Sequence, residues 1–485
     1  MKNFTLVILS VSAVLIATLY PFNFYFSDIS LQYIIASFDN SSSFEDFVNN
    51  ILLFMPLGFS STAVLQRKNL NFFSKFLVVT FISTALSSLV EVLQIFLSSR
   101  TPTPADIINN TIGGVVGIIC FYLWNSKNFL YILSSIENSR FSNSIRQITF
   151  FFVGYILISF LISILWQSTT NLSNWSLNHP LLLGNENTGD RPWNGQITNI
   201  KIADRAFSQN EVSQLLDNQN NLNTTQKYLL ADYKLADNNI FQDITGQMPK
   251  LLLQGNLSNV KNEKGVTLSP SHWFKTETPP TLLNKRIRKT SELTVFTTVA
   301  TANVNQTGPA RIISLSRNTL NRNFTLGQQT TNLILRIRTS ITGENASHIE
   351  LNVPSIFTNT NFHKIVITYS KAKVQVYIDK LENSYFFNLL ELIPREQKIV
   401  YYGLSFIPLG IYLGFLSILA QKRYTFNRLL LLFAIILPSL ILETVLVIYS
   451  GKSFSLGNLI FGALFTGVTM LILKLRASRL FKQQI

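Results

Sequence analysis

A cluster of ionisable and amide side chains embedded in apolar sequence is the first feature that could do chemistry. Glu91 lies in the apolar run Phe73–Leu97, one to two turns from its end, and Gln94 three residues on shares its helix face. Arg100 follows, then Thr101-Pro102-Thr103-Pro104, whose prolines hold a stiff extended turn. Asp106 opens the next apolar run, where a carboxylate favours a helix N-terminus. Asn109 and Asn110 sit in its first turns, ahead of Gly113, Gly114 and Gly117. A charge inside a membrane span is costly, so it faces the bundle and takes a partner. Glu91 with Arg100 is the expected pair, with Gln94, Asp106 and Asn110 completing the network. Two roles stay open. The network ties two helices together while the glycines permit close packing, or it forms a pocket at the outer membrane face that recognises or processes an envelope lipid or glycan.

The elements that hold this cluster are membrane helices. A span needs about 20 mostly apolar residues, and eight segments qualify: Phe4–Tyr20, Phe47–Leu65, Phe73–Leu97, Ile107–Trp124, Ile148–Trp166, Val400–Ala420, Leu429–Tyr449 and Leu456–Leu475. The first could be read as a cleaved signal peptide, but Leu19-Tyr20-Pro21-Phe22 offers no small-residue cleavage site, which favours an uncleaved helix. Short loops on one side carry Lys2; Arg67, Lys68 and Lys75; Lys127, Arg140 and Arg146; Lys422, Arg423 and Arg428; and Lys474, Arg476, Arg479 and Lys482. Those on the other carry only Arg100 and Lys452. This bias places both termini in the cytoplasm and residues 167–397 outside it, in a bacterial cytoplasmic membrane. The net charge of +15 then belongs largely to cytoplasmic loops, and its scatter argues against nucleic acid as a partner.

The organisation expected is four parts: a first membrane block at 1–125, a cytoplasmic loop and fifth span at 126–166, the polar outside domain at 167–397, and three closing spans at 398–485. The two membrane blocks share a pattern. Phe54-Met55-Pro56-Leu57-Gly58 recurs as Phe406-Ile407-Pro408-Leu409-Gly410, and 35 residues beyond each proline stands a glutamate, Glu91 (91 − 56) and Glu443 (443 − 408). Asn110 with Gly114 then pairs with Asn458 and Gly462, the second turn being four residues shorter. Spans two to four and six to eight read as two copies of one unit running in the same direction. In the second copy Leu446 stands at Gln94's place, with no clear counterpart of Arg100 or Asp106.

Asp46, then Asn50-Ile-Leu-Leu-Phe-Met-Pro-Leu-Gly-Phe59, Glu91-x-x-Gln94, Arg100, Asp106 and Asn110-Thr-Ile-Gly-Gly114 resemble the VanZ-like membrane family over residues 1–125, and more faintly over 400–475. The founding member is associated with resistance to the glycopeptide teicoplanin, so the resemblance implies a cell-envelope role. It assigns no reaction and no catalytic residue. It adds Asp46 and Asn50 to the candidate polar site.

Residues 167–397 alternate apolar and polar residues in short runs. Leu293-Thr-Val-Phe-Thr-Thr-Val, Ile312-Ile-Ser-Leu, Leu333-Ile-Leu-Arg-Ile-Arg, His363-Lys-Ile-Val-Ile-Thr-Tyr and Val374-Gln-Val-Tyr-Ile read as strands of a sandwich. The only helix expected is Ser208–Leu216, opened by a Ser208/Glu211 capping box. A single cysteine, Cys120 in an apolar run, rules out an internal disulfide, so a hydrophobic core must hold this domain. His179, His272, His348 and His363 are spread too widely for a metal-ligand motif.

The stretch Trp193–Glu211, Leu229-Leu-Ala-Asp-Tyr-Lys-Leu with Asp243-Ile-Thr-Gly246, and Phe362–Tyr369 with Val376-Tyr-Ile-Asp379 resemble the end, beginning and late hairpin of laminin-G-like, concanavalin A-like lectin/glucanase modules. The order implies a circularly permuted jelly roll, so the fold class expected is a bundle of about eight membrane helices plus an all-β sandwich. Such modules bind glycans or cleave them. Cleavage needs two placed carboxylates, and no Glu-x-Asp-x-x-Glu cluster is present, which favours binding. Trp193, Trp273 and Tyr369 are candidate sugar-stacking residues, against ordinary core packing. The resemblance allows calcium, but Asp232, Asp237 and Asp243 match no calcium loop, so no metal or cofactor is expected. The partners expected are membrane lipids and a cell-wall glycan, polysaccharide or envelope protein. An enzyme or lipid-handling protein acting at the Glu91/Arg100 pocket is the alternative.

Overall fold

The computed structural model describes residues 2–25, 44–68, 70–97, 103–138, 145–217, 226–236, 241–255, 261–262, 265–421 and 428–482. In chain order the helices are α1 (Lys2–Leu19), α2 (Phe44–Leu65), α3 (Phe72–Gln94), α4 (Pro104–Trp124), α5 (Ser126–Asn138), α6 (Ile145–Ser168), α7 (Gln209–Leu216), α8 (Thr281–Thr290), α9 (Arg395–Gln421), α10 (Arg428–Ser450) and α11 (Leu456–Lys482). The chain forms two compact units. One is helical and comprises 1–166, 394–447 and 453–485; the other comprises 167–393 with 448–452.

Seven helices among the described residues are long and apolar enough to cross a membrane: α2, α3, α4, α6, α9, α10 and α11. The first expected span is shorter, an apolar stretch Phe4–Leu19 within α1, about 24 Å at 1.5 Å per residue against a hydrocarbon core of about 30 Å. Side chains that a soluble protein would bury, such as Phe81, Phe150 and Leu165, are exposed on the helix surfaces, as lipid-facing positions are. The expected start of α4 moves back to Pro104, because proline is suited to the first helical position after Thr103. The loop expected after α4 holds the amphipathic helix α5, whose Phe129 and Leu133 pack with Leu473 and Ala477 of α11.

Within the helical unit α2 and α4 cross backbone to backbone. A methyl group added to Gly58 would land on the carbonyl oxygen of Gly114, and one on Gly117 would meet the carbonyl of Met55. One on Gly113 would come within 2.7 Å of the Ile51 oxygen. Small residues replace the hydrophobic effect as the source of helix association in lipid, since they let whole backbones touch.

The second unit is an antiparallel β-sandwich. One sheet has the order β12-β11-β10-β9-β1-β7-β4, where β1 is Leu181–Leu183, β4 Leu251–Gly255, β7 His272–Thr276, β9 Ala310–Asn318, β10 Asn321–Gln329, β11 Asn332–Ile337 and β12 Leu351–Val353. The other has the order β15-β14-β13-β8-β2-β6-β5, with β3 also paired to β2. These strands are β2 (Gly195–Ala203), β3 (Leu229–Lys234), β5 (Lys261–Asn262), β6 (Gly265–Leu268), β8 (Glu292–Thr301), β13 (His363–Ser370), β14 (Lys373–Ile378) and β15 (Lys380–Asn388). The alternating runs read from sequence all form strands, and Ile367 pairs with Val295 and Val376 across three of them. The first two strands of the unit, β1 and β2, take inner positions between strands from later in the chain. α7 forms as expected, with the Ser208 N–H donating to Glu211 at 2.8 Å. Helix α8 was not expected. Its Lys/Arg-rich sequence hides an apolar pair, Leu283 and Ile287, four residues apart on one buried face.

Candidate functional site

The buried carboxylate of Glu91 is held by the start of the next helix. Glu91 is in the last turn of α3, and its Oε2 accepts the backbone N–H of Thr103, the residue preceding α4, at 2.7 Å. A helix N-terminus leaves its first N–H groups unpaired and carries partial positive charge, so a carboxylate there is doubly favourable. Around this contact Asn110 donates to Ser87 Oγ at 2.9 Å, linking α4 to α3, and Gln94 donates to the Thr18 carbonyl at 3.2 Å, linking α3 to α1. Glu91, Gln94, Asn109 and Asn110 are all buried. Asp106 lies in the first turn of α4, where its charge suits the helix end. Asp46 and Asn50 sit half-buried on the first two turns of α2. Arg100, the expected partner of Glu91, lies outside the described residues; the partner described is the Thr103 amide.

The same device occurs in the last three helices. Glu443 of α10 accepts the N–H of Ser455, the residue before α11, at 2.7 Å. Both intervals are 12 residues (103 − 91 and 455 − 443), so one offset of 352 (443 − 91) carries the first trio onto the second without a gap. The packing follows this register. Gly58 meets the Gly114 carbonyl, and a methyl on Gly410 would stand 2.7 Å from the Thr466 carbonyl. Asn110 meets Ser87, and a methyl on Gly462 would stand 2.7 Å from Ser439 Cβ. This corrects the expected alignment. Asn458 takes the place of Asp106, not of Asn110; Gly462 takes that of Asn110; and Lys452 takes that of Arg100. The second turn is not shorter. The shared Asn and Gly four residues apart suggested a different pairing because small residues recur throughout these helices.

Residues 4–125 match the VanZ/LLP1 family model. This region is a VanZ-like domain. It covers 122 of the 485 residues (125 − 4 + 1) and includes Glu91, Gln94, Arg100, Asp106 and both asparagines. With seven long apolar helices, the chain is a multi-pass membrane protein with a VanZ-like domain and a separate β-sandwich. No curated protein and no solved structure matched it significantly.

Outside the VanZ-like domain, two of the three candidate sugar-stacking residues prove to be core. Trp193 is fully buried and its indole N–H donates to Gln328 Oε1 at 2.8 Å. Tyr369 is fully buried, its hydroxyl donates to the Thr170 carbonyl, and burial pushes the phenol pKa far up. Fully buried, neither can stack on a sugar, whereas Trp273 on β7 is half-buried. The carboxylates nearest a calcium loop are also committed. Asp232 pairs with Lys201 at 2.6 Å, and Asp243 accepts the N–H groups of Asp232, Gln247 and Met248. That set organises a turn and does not fit a calcium ion; Asp237 lies outside the described residues. Among the described residues no three His, Cys, Asp or Glu side chains are grouped to hold a metal.

The sandwich instead contains a charged interior that the sequence reading missed. Arg311 on β9, Arg322 on β10 and Glu186 beside β1 are each at most 2 % exposed. Arg311 Nε lies 3.5 Å from Glu186 Oε2, while the other carboxylate oxygen accepts from Ser316 Oγ and the Asn187 N–H. Arg336 on β11 pairs with Glu350. Burial, then the neighbouring guanidiniums, pulls Arg322 down to about 9, and burial likewise pulls Arg311 down to about 10. The signal was in the alternation: Arg336 falls at an every-second position in a strand whose neighbours were read only for their apolar face.

Proposed function

We propose that the chain is a non-enzymatic cell-envelope protein whose VanZ-like membrane platform displays the β domain outside the cytoplasm, where that domain binds a glycan or protein of the envelope as part of a cell-wall or glycopeptide response. The observation that carries this reading is the architecture: a self-contained sandwich, closed by its own apolar core, inserted between two blocks of membrane helices. The Lys/Arg bias of the loops supports the outside location. The inner positions of β1 and β2 support a permuted lectin-like order, in which the inserted domain begins at what is elsewhere an interior strand. The gap-free offset of 352 supports reading the last three helices as a second, degenerate VanZ-like copy. The test is retention of the detergent-solubilised full-length protein on insoluble peptidoglycan and on immobilised envelope polysaccharides. Retention on at least one, displaced by the soluble polymer, is expected; no retention on any contradicts the reading.

A second reading is favoured by one asymmetry. The first trio keeps Gln94, Asp106 and Asn110 where the second has Leu446, Asn458 and Gly462. That is the distribution expected if the first alone handled a lipid or glycan headgroup. Asn110→Ala would then abolish the envelope phenotype at normal protein level, whereas survival of the phenotype would leave the network a structural one.

A further inference from the structure

Among the described residues, Arg322 is buried without a counter-charge of its own. It is 1 % exposed, and its Nε and Nη1 have no hydrogen-bond partner. The charged groups acting on it are Arg311, Arg336, Arg191 and a single carboxylate, Glu186. The nearby acids are taken: Glu186 faces Arg311 at 3.5 Å and Glu350 holds Arg336. Arg191 gives Nη1 to the Gly308 carbonyl at 2.7 Å and stands 3.9 Å from Asp190.

Breaking a buried ion pair by removing one partner is strongly destabilising, because it leaves a desolvated charge alone. Arg322 approaches that state, because the one carboxylate acting on it also faces Arg311. Arginine does not escape it by losing its proton at neutral pH. Water would supply acceptors but no negative charge. The sheet face that carries the arginines is also lined with hydroxyls. Ser314 pairs across to Thr325 and Thr325 to Arg336, while Arg322 pairs with Ser316, so these side chains share one face. These hydroxyls are spent on one another and on Glu186, so the donors left on this face are guanidinium N–H groups, which recognise an oxyanion.

We propose that Arg322, with Arg311, forms a binding site for one oxyanion group, a carboxylate, phosphate or sulfate, carried by the ligand of the β domain. This rests on the binding reading above and narrows it to an acidic ligand. The anion supplies the charge that Glu186 alone cannot, and Arg322 supplies two unmet donors to it.

The test uses the full-length protein in detergent. Equilibrium dialysis against labelled phosphate, sulfate and glucuronate should show close to one anion bound per chain for at least one of them, undiminished in sodium chloride of matched ionic strength. Phosphate or sulfate uptake identifies a phosphorylated or sulfated ligand; uptake of glucuronate alone identifies a uronic acid. The favoured anion should raise the melting temperature of the β domain by about 3 °C over chloride. Arg322→Gln should weaken uptake at least tenfold, yet melt no lower than wild type in chloride, because the unpaired charge is gone. No uptake of any of the three by the wild-type protein overturns the proposal and requires no variant. Uptake unchanged in Arg322→Gln also overturns it. Retention on a neutral polymer without oxyanion uptake leaves the binding reading standing and removes this one; uptake of free oxyanion without retention on any polymer does the reverse.

Discussion

The first and last helix trios use one clamp and differ in what surrounds it. In both, a buried glutamate near the end of the middle helix accepts the N–H of the residue that opens the third. In both, a glycine two residues after a proline lets the first helix touch the third. The first trio adds Asn110 to Ser87 and Gln94 to Thr18, whereas the second packs Gly462 on Ser439 and has Leu446 in place of Gln94. A group present in both trios is explained by folding. The buried glutamate, which the sequence marks as the functional candidate, is therefore the part best explained as architecture. The amides found only in the first trio are the part that folding alone does not require.

The largest way to break the comparison is at the glycines. Gly58→Leu should cost roughly 3 kcal/mol or more by overpacking, because the added atoms meet the Gly114 backbone and neither helix can yield by a rotamer change. The same change at Gly410 should cost less, since one of its close neighbours is the Thr469 side chain; thermal aggregation in detergent measures both. Next come the clamps. Glu91→Ala and Glu443→Ala should each cost about 1–2 kcal/mol, like loss of an N-terminal cap, and should cost the same within error. A much larger loss at Glu91 would show that its carboxylate does more than cap α4. Asn110→Gly, which makes the first trio like the second, should cost about 1 kcal/mol for the hydrogen bond to Ser87. The reverse, Gly462→Asn, should be worse than that, since Ser439 and Phe406 already fill the space. The smallest effect is expected at Gln94→Leu, again imitating the second trio: below about 1 kcal/mol, because one neutral hydrogen bond is exchanged for apolar burial.

Much of this was legible in the sequence where one physical rule dominated. Seven long spans followed from length and hydropathy, and β8, β9, β11, β13 and β14 from period-two alternation. α7 followed from the Ser208/Glu211 cap. Helix α8 was hidden because Lys285, Arg286, Arg288 and Lys289 mask the Leu283/Ile287 face. The trio register was misread because matching residue types, Asn and Gly, were given more weight than the distance from glutamate to helix start, which only the Thr103 and Ser455 hydrogen bonds define. For Trp193 and Tyr369 the sequence leaves sugar stacking and core packing both open, because burial of an aromatic depends on which sheet face it occupies, and that needs the pairing partners. The arginines of the sandwich went unread for the same reason: on a strand, a charged residue usually marks the solvent side.

The central claim is that both trios fold on one register. Cysteine pairs in a Cys120→Ser background test it directly, with a short bismaleimide applied to membranes. Glu91→Cys/Thr103→Cys and Glu443→Cys/Ser455→Cys should cross-link with equal yield, and Glu443→Cys/Gly451→Cys, the register four residues shorter, should cross-link less. A dominant 443–451 link with no 443–455 link would contradict it.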